Sequence, residues 1–129
     1  VRIAFLEGGI AWFLLLLERL HASHETHFQH IPEGEFGVRE GQDPAKELKK
    51  LVKDGRIYLG IETEELTMPF AIKIVGNSPF LYSSDFPHEV THESCKHDIG
   101  ELMESEEINA DDKAAMLWRN AENFYKLPL

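Results

Sequence analysis

Three short apolar runs, each followed by a stretch with helical spacing, constrain this chain more than any other feature. Val1 to Leu6, Arg56 to Glu62 and Phe80 to Ser83 are rich in strand formers and end at acids or polar turns. The connections between them are long enough to carry a helix and return, as neighbouring parallel strands require. A parallel α/β sheet built from about three β-to-α units is therefore expected.

The intervening elements follow from local signals. Glu7-Gly8-Gly9 suits a tight strand-to-helix turn, and a helix from about Ile10 to His21 is apolar nearly all round, which implies burial on more than one side. Ala22 to Gln42 has no sustained period and reads as an excursion loop with room for a little helix. Asp43-Pro44 looks like an N-cap with proline at the first helical position, opening a helix that Gly55 stops. Thr63 to Val75 supplies another, with Leu66, Phe70, Ala71 and Ile74 as its inner stripe and Pro69 as a kink or a delayed start. Helices from about Cys95 to Glu104 and from Asn109 follow. The last places Ala114, Leu117, Trp118, Ala121 and Phe124 on one face and should pack as a lid.

Composition narrows the partners. A single domain spanning residues 1–129 is expected, and a net charge of −10 offers no basic stripe for a nucleic-acid backbone or an anionic membrane. The apolar run from Ile10 to Leu17 is far shorter than the ~20 residues of a spanning helix. One cysteine, Cys95, rules out an internal disulfide framework and makes the cytoplasm the simpler expectation. The sequence opens on Val1, inside an apparent strand, so further residues upstream are expected.

The octapeptide Tyr82-Ser83-Ser84-Asp85-Phe86-Pro87-His88-Glu89 carries the chemistry. Pro87 cannot continue a ladder, which puts Asp85 at the carboxyl end of the third strand, where α/β enzymes hold their reactive groups. Asp85 could equally close a turn onto nearby amides.

With this octapeptide, Ile3-Ala4-Phe5-Leu6-Glu7-Gly8-Gly9 running on to Trp12 and Leu17-Glu18-Arg19-Leu20, Gly55-Arg56-Ile57-Tyr58 with Glu62, and Asn120-Ala121 with Phe124-Tyr125 resemble the metal-dependent amidohydrolase family. The resemblance spans nearly the whole chain except the His-rich loop. It implies the last three strands of a (β/α)8 barrel, that is, the C-terminal part of a TIM-type fold. Such a barrel takes ~250 residues, so this chain amounts to about half of one.

The activity implied is metal-assisted hydrolysis, or decarboxylation, of a small organic acid or cyclic amide, with zinc or manganese as cofactor. By resemblance Asp85 is a proton acceptor or metal ligand, and His88 an orienting group. Glu7, a candidate metal ligand, stands where many relatives place a metal-binding histidine, and Glu62 could face the mouth of the site or cap the following helix, the cap being the expectation. The family's His-x-His pair and a further histidine belong to strands this chain lacks, so the chain alone is expected to be inactive. The alternative is a non-catalytic piece that forms a homo-oligomer or complements the missing barrel half. A small doubly wound domain sharing only the rhythm is a third reading.

Two other signals compete. His21, His24, His27 and His30 recur every third residue, but that period drifts around a helix and does not bring four rings onto one ion. Cys95 lies between His92 and His97, yet a nucleophilic thiol needs exposure and a lowered pKa, and a buried or idle cysteine is the expectation. The acids Glu101, Glu104, Glu106 and Glu107 read as a solvated helix face and turn.

Overall fold

The computed structural model describes residues 1–27, 30, 42–88 and 90–127. Its centre is a parallel sheet of β1 (Ile3–Phe5), β2 (Ile57–Ile61) and β3 (Phe80–Tyr82), in that spatial order. Phe5 is level with Leu59, and Leu59 with Phe80, so alternation puts these three residues on one face. Ala4, Tyr58, Gly60 and Leu81 take the other.

The helices are α1 (Ala11–His27), α2 (Pro44–Lys53), α3 (Met68–Val75), α4 (His92–Glu104), α5 (Ala110–Ala114) and α6 (Asn120–Tyr125). A π-helical turn, Ala115–Arg119, joins the last two. The buried core draws Phe13 and Leu17 from α1, Val52 from α2, Met68 and Ala71 from α3, Leu102 from α4 and Met116 from the π turn. They form one cluster with the sheet residues Leu59, Ile61 and Phe80. The helical layer thus covers one face of the sheet. Each large side chain buried there contributes about 1.5–3 kcal/mol.

Several elements depart from their expected form. The first helix runs on to His27, six residues past His21, and it buries one side only: Phe13 and Leu17 are enclosed while Leu15 is exposed. The third starts at Met68, with Pro69 in its first turn, which is the delayed start rather than the kink. Its inner residues are Met68 and Ala71, whereas Leu66 is 98% exposed and Phe70 also faces outward. The fourth starts at His92 because Thr91 and Ser94 cap it reciprocally, each side chain meeting the other's backbone amide. The rest of the excursion, residues 28, 29 and 31–41, lies outside the described residues.

The closing segment departs from a simple amphipathic stripe for a local reason. Helical dihedrals persist from Ala114 to Asn120, but the Asn120 N–H bonds back five residues to Ala115 O. That extra residue turns the following side chains around the axis. Trp118 ends half exposed and Asn120 buried. Asn120 Nδ2 then donates to Asn77 O (2.7 Å) and Phe80 O (2.8 Å), at the start of β3.

Further along, the Phe124 ring meets Tyr58 on the sheet's second face, with centroids 5.0 Å apart. Arg2 Nη1 donates to Asn123 O and Phe124 O at 3.1 Å. Residues 77 and 80 and Arg2 stand at or before the beginnings of their strands, and Tyr58 is the second residue of β2. α6 therefore crosses the amino-terminal end of the sheet and leaves the carboxyl-terminal end free of it.

The two sheet edges are unlike. The Ile3 N–H donates to Arg56 O (2.9 Å), so the alternation of a parallel ladder turns the amide groups of Ala4 away from β2. Along this edge Val1, Ile3, Phe5 and Leu6 are exposed. At β3, the carbonyl of Phe80 is already taken by Asn120.

Candidate active site

The carboxyl ends of all three strands carry acids. Glu7 follows β1 by two residues, Glu62 follows β2 directly, and Asp85 follows β3 by three. Glu7 and Asp85 both have left-handed backbone, φ 60° and 55°, which is uncommon for residues other than glycine. They leave strands with β2 between them, a separation of about 10 Å at ordinary strand spacing.

Around Asp85 the ladder continues one residue past β3, where the Ser83 N–H donates to Ile61 O (3.0 Å). The chain then turns. The Phe86 N–H donates to Ser84 Oγ (3.4 Å) and the His88 N–H to Asp85 O (2.9 Å), and the bond before Pro87 is cis. This turn brings His88 Nδ1 to 4.0 Å from Asp85 Oδ2, with the two side chains 82% and 54% exposed. The pair is too long for a direct hydrogen bond and too wet to hold the turn by charge. Asp85 thus presents an accessible carboxylate beside an imidazole.

Glu62 is not a helix cap. Four residues separate it from Thr67, the residue that precedes α3, and its own N–H donates to Glu65 Oε1 (3.1 Å). Glu65 is the carboxylate that sequence reasoning missed. Its Oε2 accepts from the Ile10 N–H (2.5 Å), linking the turn after β2 to the start of α1. The close acid run Glu62, Glu64, Glu65 was the available signal, but it does not say which member turns inward. Gly9, with φ 63°, lies so near that a Cβ there would sit 3.0 Å from Glu65 Oε2. At Gly8 a Cβ would meet the Trp12 indole nitrogen at 2.8 Å. The two glycines let the first turn close under both groups.

The remaining candidates do not join this cluster. His21 Nδ1 contacts Asp43 Oδ2 (3.0 Å), and its Nε2 lies 3.6 Å from Glu25, so this ring ties α1 to the start of α2. Burial pushes the Asp43 carboxyl up. The hydrogen bond from His21 and those from the Ala45 and Lys46 amides outweigh it, and the carboxyl ends below its usual value. Cys95 is partly buried on α4, and His97 Nε2 faces Glu101 (3.4 Å). Beneath α4, the Tyr82 hydroxyl is buried without a partner among the described residues. Burial, with Cys95 and Asp98 nearby, raises its pKa and keeps it a neutral phenol.

Among the described residues, no group of three His, Cys, Asp or Glu is arranged to hold a metal ion, and no helix is long and apolar enough to cross a membrane. A catalytic zinc normally takes three protein ligands. Asp85 and Glu7 do not make a complete metal site between them.

No protein-family model matches the chain, and no curated protein matches it. Among solved structures, an amidohydrolase from Mycobacterium avium subsp. paratuberculosis K-10 superposes with a TM-score of 0.68 at 20% sequence identity. The match covers 96% of this chain and 28% of that one, so the present chain spans less than a third of its structural neighbour. Likeness at this identity concerns architecture, and in architecture the chain is amidohydrolase-like.

Proposed function

We propose that this chain is an arc of a (β/α)8 barrel and contributes Asp85 and His88 to a hydrolytic site at the carboxyl ends of its strands. The observation that carries the reading is the exposed Asp85 carboxylate at the end of β3, opposite the end that α6 crosses. The helical layer packed on the Leu59 and Phe80 face of the sheet and an amidohydrolase as structural neighbour support it. Substrates of the class named by the resemblance, small organic acids or cyclic amides, suit a site entered from the strand tips.

In this reading Asp85 takes the proton of an attacking water, and His88, 4.0 Å away, orients the water or the substrate. Glu7 adds a second carboxylate at the same end of the sheet. The zinc or manganese that the resemblance implies would need ligands beyond these two, so no step is assigned to a metal. We place the protein in the cytoplasm on its single cysteine.

The open edge of β1 supports a second reading, a non-catalytic unit that associates with a copy of itself or with a chain supplying the adjoining strand. Hydrolysis of small cyclic amides, measured with and without added zinc or manganese, separates the two. The enzymatic reading expects no turnover from this chain alone, and turnover that the metal stimulates and a chelator removes once a chain supplying the missing strands is added. Protein that stays inert with that chain added and forms a concentration-dependent oligomer on size-exclusion chromatography contradicts it and supports the second.

A further inference from the structure

A cleft of about 530 Å³ opens between α1, α2 and α3. None of its lining residues belongs to a strand or to a turn that follows one, so it is separate from the candidate active site. Its volume falls within the roughly 300–1,000 Å³ range of small-molecule sites. Leu14, Leu17, Phe70 and Ile74 give it apolar walls, and its ionic groups are Glu18, His21, Asp43, Lys46 and Lys49.

Those ionic groups are unevenly satisfied. Asp43 has a side chain only 8% exposed and is engaged by His21 (3.0 Å) and by the Ala45 amide (2.9 Å). Glu18 is held by Arg19 at 2.8 Å. The cations are less well matched. Lys46 reaches no nearer than 4.0 Å to the occupied Asp43, and Lys49 makes no ion pair among the described residues. They lie three residues apart on α2 and so share one side of that helix. The two lysines balance Glu18 and Asp43 in formal charge, but both acids have other partners, so the lysines are the less engaged ionic groups beside an apolar trough.

We propose that the cleft binds an amphipathic monocarboxylate of the medium-chain fatty-acid class. Its hydrocarbon chain lies against Leu14, Leu17, Phe70 and Ile74, and its carboxylate is held between the ammonium groups of Lys46 and Lys49. A wholly polar acid would leave the apolar walls wet, and an amine would find both nearby carboxylates already engaged. The site needs both halves of the ligand.

Titration calorimetry of the full chain with decanoate, below its micelle concentration, tests this. Decanol and the Lys46→Gln/Lys49→Gln double variant serve as controls. Both lysines are exposed, so the variant is expected to keep its fold, checked by circular dichroism. The expected result is saturable binding of one decanoate per chain, weakened about tenfold or more in the double variant and for decanol. Absence of saturable binding, an unchanged affinity in the variant, or equal binding of decanol overturns the proposal.

Discussion

Glu65 Oε2 accepts the backbone N–H of Ile10 at 2.5 Å, across 55 positions of sequence. Ile10 is fully buried, so this carboxylate meets the need of an amide at the head of α1 that no water reaches. Its other oxygen takes the Glu62 N–H, and the turns after β1 and β2 become one unit. Glu65→Ala is expected to destabilise the fold by about 1–3 kcal/mol, because it strands a buried donor. Glu65→Gln keeps an acceptor and should lose less. Urea unfolding of the two variants checks the order.

Gly9 belongs to the same construction. Gly9→Ala demands a left-handed residue with a Cβ 3.0 Å from Glu65 Oε2. The expected loss is about 1–2 kcal/mol from the backbone alone, read as a lower midpoint at unchanged urea dependence.

Asn120 closes β3 by its two bonds to Asn77 O and Phe80 O. Asn120→Ala should cost about 1–3 kcal/mol, since buried carbonyls lose their donors. Asn120→Asp should cost more, because it turns a carboxylate toward two carbonyl oxygens. Thermal unfolding ranks the two variants.

Asp43 sets an acid limb. Its carboxyl is lower in the folded chain than in the unfolded one, so the unfolded state binds its proton first as pH falls. The stability it supplies is complete above the unfolded value of about 3.9 and is lost as pH drops through the folded value. Asp43→Asn retains an effective N-cap. The variant should therefore show a flatter melting temperature between pH 5 and 3 than the parent, measured by calorimetry.

The frame of the fold was legible because its signals are local. The strand formers in Arg56 to Glu62, the Asp43-Pro44 start of α2 and its stop before Gly55 depend only on near neighbours, and each appears in the structure. What escaped depends on distant partners. Nothing near Glu65 says that it reaches Ile10, and nothing near Asn120 announces the π turn that aims it at Phe80. Helical spacing put Leu66 and Phe70 inside, but the turn that holds Glu65 delays α3 to Met68 and leaves both side chains outside. Glu62 looked like a cap for the same reason. At the strand tips, Pro87 placed Asp85 correctly along the chain, while its distance to His88 depended on the turn that follows.

Asp85→Asn tests the central claim most directly. The substitution preserves size and removes the proton acceptor, and the exposed side chain makes it harmless to folding. With amide hydrolysis by the chain complemented with the missing barrel strands as the readout, and circular dichroism to confirm matched folding, turnover is expected to fall by about 100-fold or more. Turnover equal to that of the parent chain would contradict the account.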